Sequence, residues 1–477
     1  MKILALTMSA LLSIGVTAAG ASETVAIDPS CRFDSPEWTK FERGRQLFLK
    51  EWPRSEGFGA IRYDPHVDHV TNSCSTCHNH PRGTAGSGGN SPGYGGLGRN
   101  TPDLFGVGNL EAISEYIRAS IIAKYSSNGR FITKSALTGE RILIEAMPGV
   151  VVDFGSLSQR SDGLLDVDPS LVVWFVDRDG KPLPPTDETG AHRDIGSPDV
   201  AGFDFFHGFP GWAASDHQYP TIRMFVLGVW KTIFGLPFTD ALTRPISSGE
   251  VWAGRSVSGR RQLTIQSVEQ AGNVTGPNSS DVDAIEHFLL NHPSPARRAA
   301  TPEIQRGEML MREMGCTSCH TPSWRVPAAL DLRFAEWSVE LDQSNNLSRV
   351  SIYKPVGEYH VFDGIFSDLR YHDLGDRFRE YAWINDHLAV RTKFKTPPLW
   401  GVSSTAPYGH DGLSPTLDAV IRRHGGEADA AARSYEAASE ADRDAVLRFL
   451  EGLVLFSIND ALEFKCGSNA SKARTRP

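Results

Sequence analysis

The stretch Gly315-Cys316-Thr317-Ser318-Cys319-His320 carries two cysteines separated by two residues, with a histidine directly after the second. The same pattern recurs as Cys74-Ser75-Thr76-Cys77-His78. This spacing allows both thiols to reach the two vinyl groups on one edge of a porphyrin, and it puts the histidine beneath the iron. The sequence therefore predicts two covalently bound c-type haems, one held by Cys74, Cys77 and His78 and the other by Cys316, Cys319 and His320.

Two other uses of paired cysteines are a zinc site and a redox dithiol. Zinc ribbons usually place their pairs about 15 to 20 residues apart, whereas these pairs lie far apart in the chain and each is followed by histidine. A thioredoxin-like dithiol would use one motif in a βαβ context, which the sequence does not show. The pattern therefore favours haem over both.

The N-terminus predicts export from the cytoplasm. Lys2 is followed by an apolar run from Ile3 to Val16 and by the small residues Ala19-Gly20-Ala21, which is the arrangement of a secretory signal peptide. The alternative is an uncleaved anchor, but the run is too short to span a bilayer comfortably. We therefore expect residues 1–21 to be removed. Because c-type haem in bacteria is attached outside the cytoplasmic membrane, the mature protein is expected to be periplasmic.

Composition limits the fold and the partners. With 477 residues, of which 40% are hydrophobic and 22% charged, the chain is long enough for two or three domains of ordinary globular composition. A net charge of -9 argues against a nucleic-acid partner, and no segment after the signal reaches the length of a transmembrane helix. Cys31 and Cys466 lie outside the motifs. In an oxidising compartment they either form a disulfide or remain two free thiols.

Helical signals accompany both motifs. Ser35-Pro36-Glu37 and Thr301-Pro302 each place a capping residue and a proline at the start of a helix that precedes a motif. Ser439 opens a further helix, which is predicted to cross the helix after Thr301. We therefore predict a mainly α fold of two c-type cytochrome domains packed together. The N-terminal haem domain would span residues 22–295 and the C-terminal haem domain residues 296–477.

Residues 131–294 have a mixed pattern, with β-branched stretches such as Val150 to Phe154 and Leu171 to Phe175. The sequence alone leaves the fold of this part open. Because it is too long for a simple linker, we interpret it as a long mixed insertion in the N-terminal haem domain.

Four stretches in the second half of the chain resemble a known family. They are Phe366-Ser367-Asp368-Leu369-Arg370-Tyr371-His372-Asp373-Leu374-Gly375, Thr396-Pro397-Pro398-Leu399-Trp400-Gly401, Tyr408-Gly409-His410-Asp411-Gly412 and His424-Gly425-Gly426-Glu427-Ala428. In this order they resemble the family "di-haem oxidoreductase, putative peroxidase". Gly108 to Ile113 and Gly208 to Ala213 resemble its other recurring stretches. The resemblance implies a relationship to the bacterial di-haem cytochrome c peroxidases and to the di-haem enzyme that matures the quinone cofactor of methylamine dehydrogenase.

The same relatives imply a calcium site. In them a Ca²⁺ ion lies between the two domains, held by an asparagine side chain and two backbone carbonyls. The matching positions here are Asn100, Thr405 and Pro407, and ligation by oxygen alone suits a hard cation. The alternative is that Asn100 only caps the turn that follows it.

The second haem departs from the classical peroxidases in one axial ligand. Those enzymes use a methionine fourteen residues after the histidine of the His-Asp-Gly motif, and here that position is His424. His424 also shares an apolar helical stripe with Leu417, Val420 and Ile421. We therefore predict that His320 and His424 are the two axial ligands of haem 2, which would give it a low potential. The alternative for His424 is a hydrogen-bonded histidine of the core.

The first haem departs in its distal loop. The classical peroxidases carry a distal histidine there, and the corresponding segment from Arg82 to Arg99 contains no His, Met, Lys or Cys. We therefore predict an open or water-occupied site on haem 1, with Tyr94, His66 and His69 as competing ligands. His80 lies too close in sequence to the proximal histidine to swing around the porphyrin edge.

These inferences together predict a periplasmic di-haem c-type oxidoreductase, peroxidase-like, that activates peroxide or O₂ at haem 1 and uses haem 2 as an electron relay. Cleavage of an O–O bond needs a proton carrier; Glu111 is the candidate, and a solvent-facing residue at a helix start is its alternative. His410 is expected to order the loop between the haems. The expected partners are a small-molecule oxidant and a periplasmic electron-transfer protein. The rival functions are a pure electron-transfer cytochrome and a di-haem dioxygenase acting on an apolar substrate.

Overall fold

The structure is a computed structural model of the chain. It describes residues 36–59, 71–87, 100–127, 130–131, 141–159, 165–167, 176–177, 279–330, 334–335, 337–352, 355–384 and 387–457, together with the single positions Ile222, Val226, Trp230, Phe234 and Leu236. Several positions singled out in the sequence lie outside the described residues, namely residues 1–21, Cys31, His66, His69, Tyr94 and Cys466.

Helices and short strands follow one another along the described residues. The helices are α1 (Pro36–Leu49), α2 (Val107–Tyr125), α3 (Ser279–Leu290), α4 (Pro302–Glu313), α5 (Leu417–Arg423), α6 (Asp429–Ala437) and α7 (Glu440–Glu451). The strands are β1 (Ser126–Ser127), β2 (Arg130–Phe131), β3 (Arg141–Met147), β4 (Val150–Gln159), β5 (Leu165–Val167), β6 (Val176–Asp177), β7 (Ala296–Arg298), β8 (Ser323–Pro327), β9 (Trp337–Leu341), β10 (Leu347–Ile352), β11 (Tyr359–Asp363), β12 (Tyr371–Asp373), β13 (Glu380–Ile384), β14 (His387–Arg391), β15 (Lys393–Lys395) and β16 (Leu453–Val454).

The prediction of a mainly α fold is wrong. Helices make up 42% and strands 20% of the described residues, and the strands form several sheets. The largest described sheet has the order β10-β9-β7-β16, and three-stranded sheets have the orders β3-β4-β5 and β13-β14-β6. Strands such as β11 and β13 are rich in β-branched and aromatic residues, which favour extended backbone. Many of these strands lie after residue 295, in the part of the chain for which the sequence predicts a helical domain.

The helices beside the second motif begin at the residues that the sequence indicated. The hydroxyl of Thr301 accepts a hydrogen bond from the N–H of Ile304 at the start of α4, and Ser439 caps α7 in the same way. Gly315, with a φ of 85°, stops the chain from continuing α4 into the motif, because only glycine adopts this conformation without strain.

Two helix pairs cross at glycines. At Gly307 of α4, an added Cβ would lie 2.0 Å from the carbonyl oxygen of Ala445 in α7, which confirms the predicted crossing of these two helices. At Gly44 of α1, an added Cβ would lie equally close, 2.0 Å, to the carbonyl oxygen of Ala284 in α3. One pair therefore packs beside each Cys-x-x-Cys-His motif, with the backbones in close approach.

The sheets connect distant parts of the chain. Strand β7, at the predicted domain boundary, pairs with β16 in antiparallel and with β9 in parallel orientation. Strand β6 pairs with β14, more than 200 positions later. Nothing in the described residues tests the division at residue 295, which stays a prediction. Within the described part of the chain, none of the helices combines the length and the apolar composition that a membrane crossing needs.

Candidate di-haem site

The two Cys-x-x-Cys-His motifs adopt the same local structure. Each forms one turn of 3₁₀ helix, over Cys74–Thr76 and over Cys316–Ser318. In both turns the N–H of the histidine donates to the carbonyl of the first cysteine, at 3.0 Å for His78 and 3.0 Å for His320. Equal sequence spacing therefore gives equal backbone geometry, as a shared chemical task requires.

The side chains of both motif histidines are held by the backbone. The Nδ1 atom of His78 lies 2.9 Å from the carbonyl oxygen of Pro102, and that of His320 lies 2.9 Å from the carbonyl oxygen of Phe366. A carbonyl oxygen can only accept, so Nδ1 carries the hydrogen in each ring. The tautomer leaves the lone pair on Nε2, which is how metal-binding histidines are usually oriented.

Both rings are also kept neutral. Burial lowers the pKa of His78 to about 4. Burial likewise lowers the pKa of His320 to about 4, and the charge that the nearby His424 would carry adds to this effect. Neutral imidazole is the form that binds a metal, so His78 and His320 are in the binding-competent state at neutral pH.

One cavity connects the two motifs. It has a volume of about 960 Å³ and is lined by the cysteines and histidines of both motifs, which puts it at the upper end of the roughly 300–1,000 Å³ typical of ligand pockets. Its walls are largely apolar, with Phe48, Ile285 and Leu289 among the residues on the side of the first motif and Met311, Leu417 and Val420 on the side of the second. Apolar walls around thiols and neutral imidazoles suit a porphyrin.

A buried tryptophan adds a donor without an acceptor. Trp230 lines the cavity and is fully buried, and its Nε1 has no hydrogen-bond partner among the described residues. An unsatisfied buried N–H costs about 1–3 kcal/mol. An oxygen of the prosthetic group or of its ligand would satisfy it, so this position also fits a haem in the cavity. The sequence offered no signal for Trp230 beyond its place in an apolar run.

The cysteines do not form the alternative zinc site. Within the described residues, the one group of at least three potential metal-binding side chains whose ligand atoms lie within 4.8 Å of one another is Cys319, Asp368 and His372. That group contains a single cysteine. In the haem-bound protein the sulfur of Cys319 would be a thioether, and both ring nitrogens of His372 lie 2.8 Å from carboxylate oxygens. The group is therefore a hydrogen-bond network beside the second motif.

His424 lies in the same cavity as His320. It caps the C-terminus of α5 instead of lying within the helix, and its Nδ1 lies 2.7 Å from the carbonyl oxygen of Val420. As in the motif histidines, this contact leaves Nε2 with the lone pair. Burial lowers the pKa of His424, and the ring of Phe378 packs edge-on against it, with centroids 5.6 Å apart. His424 therefore resembles His320 in three respects: its Nδ1 is held by a backbone carbonyl, its Nε2 has the lone pair, and burial lowers its pKa.

Two methionines line the cavity beside the second motif as well. Met311 and Met314 are both buried, and their thioethers are chemically able to bind haem iron. The sequence analysis gave them no role as iron ligands. Unlike these methionines, His424 follows the motif in sequence at the position that the family resemblance indicates.

The cavity wall near the first motif is poor in iron ligands. Among the lining residues of the segments 71–114 and 226–289, His78 is the one histidine, and no methionine or lysine accompanies it; His410, whose backbone contacts Asn100, also lines the cavity. His80 does not line the cavity; its backbone pairs with Ser87. Because the other proposed competitors lie outside the described residues, the open distal site stays a prediction.

A carboxyl group that the sequence analysis missed lies on this wall. Asp103 follows directly on Pro102, whose carbonyl holds His78, and it lines the cavity. Burial raises the pKa of Asp103 to about 7, although a hydrogen bond from the backbone N–H of Phe105 acts in the opposite direction. Asp103 can therefore exchange a proton near neutral pH.

The environment of Glu111 differs from that of its alternative, a solvent-facing residue at a helix start. Its side chain is buried in α2, and Oε2 accepts a hydrogen bond of 2.8 Å from the backbone N–H of Ile222. It is thus not a solvent-facing residue. Its neighbours Leu110 and Ser114 line the cavity, whereas Glu111 is not among the lining residues. Its role as a proton carrier stays a prediction.

The residues of the expected calcium site are partly brought together. The side-chain amide of Asn100 contacts the carbonyl oxygens of Pro407, at 2.5 Å, and Gly409, at 3.2 Å. The backbone N–H of Asn100 donates to the carbonyl of His410 at 2.7 Å. Thr405 lines the same cavity. The ring of His410 stacks on Phe394 with centroids 4.1 Å apart, so this loop is fixed from both sides.

One comparison with known proteins agrees with the second motif. Residues 241–453 match the model of the family "Di-haem oxidoreductase, putative peroxidase". Over these residues, the match confirms the resemblance to this family of di-haem oxidoreductases that the sequence indicated. The first motif lies outside the matched residues.

Among solved structures, the chain is similar to Kuenenia stuttgartiensis hydrazine synthase pressurised with 20 bar xenon, with 12% identity, 94% of this chain and 100% of that chain covered, and a TM-score of 0.36. It is also similar to a MauG-like protein associated with microbial copper homeostasis, with 16% identity, 87% and 88% covered, and a TM-score of 0.30. These TM-scores are too low to support a statement about this chain. None of the curated proteins compared with it matches.

Proposed function

We propose that this protein is a periplasmic di-haem c-type oxidoreductase, peroxidase-like, in which peroxide or O₂ reacts at haem 1 and haem 2 relays electrons. Haem 1 would be bound through Cys74, Cys77 and His78, and haem 2 through Cys316, Cys319 and His320, with His424 as its second axial ligand. The observation that carries the proposal is that both motifs open into one cavity, with Nδ1 of each motif histidine tied to a backbone carbonyl.

The two sites would have different tasks because their surroundings differ. When bound, the haems supply the redox chemistry. On the second side, His320 and His424 line the same cavity, each with Nδ1 against a backbone carbonyl, so both would hold haem 2 through Nε2, and a haem held in this way would supply electron transfer. In the lining segments around the first motif, 71–114 and 226–289, His78 is the one histidine, which favours a haem 1 that a small oxidant would be able to reach.

Side chains of this protein would supply protons and hydrogen bonds at haem 1. O–O cleavage needs a proton carrier near the reacting oxygen. Asp103 lines the cavity and can hold a proton near pH 7. The indole N–H of Trp230 would donate to an oxygen in the cavity. Glu111, the candidate from the sequence, is buried one residue away from the lining position Leu110.

We also propose a calcium ion between the two motif-bearing parts of the chain. The side-chain oxygen of Asn100 and the backbone carbonyls of Thr405 and Pro407 would bind it. The closeness of the Asn100 amide to the Pro407 carbonyl supports this assignment, because a rotation of the amide by half a turn would direct its oxygen to an ion placed there.

The experiment that tests the proposal combines mass and reactivity. The protein would be produced with a c-type haem maturation system in the periplasm. Mass spectrometry is expected to show loss of residues 1–21 and two haem additions, and a Cys77→Ala or Cys319→Ala variant is expected to lose one haem addition each. The reduced protein is expected to turn over peroxide with an artificial electron donor. A protein with two haems that is inert to peroxide would instead be an electron carrier.

A further inference from the structure

His372 lies between two carboxylates beside the second motif. Its Nδ1 is 2.8 Å from Oε2 of Glu427, and its Nε2 is 2.8 Å from Oδ2 of Asp368. The side chains of His372 and Asp368 are almost fully buried, whereas Glu427 is about half exposed. Ionised carboxylates only accept hydrogen bonds, so the ring donates from both nitrogens. The three side chains form one continuous hydrogen-bonded chain.

One end of this chain reaches the proximal side of haem 2. The backbone N–H of Asp368 donates to the carbonyl of Cys319, at 2.8 Å, directly before His320. Two residues earlier in the same segment, the carbonyl of Phe366 accepts from Nδ1 of His320. The segment 366–368 therefore holds both the attachment cysteine and the ring of the motif histidine.

The other end reaches the segment of His424. Glu427 follows His424 by three residues, and its Oε1 accepts a hydrogen bond of 2.9 Å from the N–H of Asp373. At Gly426 an added Cβ would lie 2.1 Å from the carbonyl oxygen of Asp373. The polypeptide segment after His424 therefore packs directly on strand β12, which contains His372.

His424 needs such support because its own helix is short. Helix α5 has seven residues and ends at His424, and a helix of this length is marginal without tertiary contacts. The contact between Nδ1 of His424 and Val420 lies within the helix itself. It orients the ring relative to α5 but does not place α5 relative to His320.

We propose that the Glu427–His372–Asp368 chain is a positioning device that holds the His424 segment against the His320 segment, and so keeps His424 on the iron of haem 2. This inference rests on the proposed role of His424. Partners in the outer shell of a metal site commonly change ligand affinity by about 10- to 100-fold when removed. Loss of the hydrogen bonds between Glu427, His372 and Asp368 should therefore make His424 easier to displace by an external ligand, without detaching the haem.

The test measures cyanide binding to ferric haem 2, in competition with His424, together with the low-temperature electron paramagnetic resonance signal of that haem. Glu427→Ala is the first variant, because its half-exposed position makes a folding defect small. We expect cyanide to bind haem 2 about tenfold more tightly or better, and the low-spin signal to shift or weaken. His372→Asn removes the contacts to both carboxylates. It is expected to change the cyanide affinity and the low-spin signal in the same direction as Glu427→Ala.

Two variants serve as controls. In Glu427→Gln the side-chain oxygen still accepts from Asp373, but the amide can donate to Nδ1 of His372 only when that nitrogen carries no hydrogen, so the changes in the signal and in the cyanide affinity are expected to be smaller than those of Glu427→Ala. Asp376→Asn alters an exposed carboxylate of the neighbouring turn, which pairs with Arg379 outside the chain, and should change neither quantity.

The outcomes separate the inference from the proposal on which it rests. If Glu427→Ala and His372→Asn retain both haems and lower only the melting temperature, with unchanged cyanide affinity and resonance signal, the chain is merely structural and the inference is overturned. His424→Ala is measured beside them. If His424→Ala itself leaves haem 2 unchanged, the ligand assignment fails first; if it opens haem 2 and the other two do not, the inference alone fails.

Discussion

The side-chain amide of Asn100 lies 2.5 Å from the backbone carbonyl oxygen of Pro407, a residue 307 positions later in the chain. This contact connects the segment after the first motif with the loop that precedes His424. A residue that only capped its own turn would not need to reach so far. The relationship explains why a cation at this point would affect the geometry of both haem sites.

Calcium is therefore expected to stabilise the protein, and Asn100→Ala is expected to remove the effect. Binding to the folded state alone raises stability by about 2.7 kcal/mol when the free ion is at 100 times its dissociation constant. The measurement is the thermal midpoint of the haem-loaded protein in calcium and in chelator. Thr405→Val is the matched control, because the proposed ligand there is the backbone carbonyl. An equal calcium response in Asn100→Ala would contradict the site.

Replacement of Gly307 by alanine is expected to destabilise the crossing of α4 and α7. The added Cβ would lie 2.0 Å from the carbonyl oxygen of Ala445 and 2.7 Å from Cβ of Phe449, so the helices must separate. Overpacking of this kind costs about 1–3 kcal/mol or more. Denaturant unfolding measures the change.

Met309→Ala is a control for that variant on the same helix. Met309 is 46% exposed, and its replacement is expected to change the free energy of unfolding by about 0.5 kcal/mol or less. Equal stability of Gly307→Ala and the wild type would mean that the two helices do not cross at this glycine.

The pH dependence of peroxide turnover is expected to report on Asp103. Because burial raises its pKa to about 7, the carboxyl is protonated below that pH and becomes a carboxylate above it. If it supplies a proton, the rate is high at the acidic side and falls as the pH rises through about 7. Asp103→Asn is expected to lower kcat by about 10²-fold, the low end for general acid catalysis. It is also expected to remove the fall of the rate with rising pH.

Glu111→Gln distinguishes the two carboxyl groups. The glutamine oxygen still accepts from the backbone N–H of Ile222, so the packing of α2 is kept. We expect a smaller loss of kcat than for Asp103→Asn. The opposite order, with Glu111→Gln the more damaged variant, would assign the proton carrier to Glu111 instead.

The sequence predicts those parts of this molecule that depend on local spacing. The haem motifs and the caps at Thr301 and Ser439 follow from residues within one or two helical turns, whereas His424 was indicated by the family resemblance together with its helical stripe. The family resemblance added the loop that contacts Asn100.

The fold class could not be predicted in the same way. Strands such as β7 and β16 have three and two residues, too few for a periodic pattern, and their partners lie far away in the sequence. The role of His372 was hidden for the same reason, since Glu427 is 55 positions from it. Trp230 is recognised only once the cavity that it lines is known.

The central claim is that haem 1 is open and that His424 closes haem 2. Low-temperature electron paramagnetic resonance of the ferric wild-type protein and of His424→Ala tests it most directly, because high-spin and low-spin irons give separate signals. The wild type is expected to show one high-spin and one low-spin haem, and His424→Ala two high-spin haems. Two low-spin haems in the wild type, or a low-spin signal that survives in His424→Ala, would contradict the account.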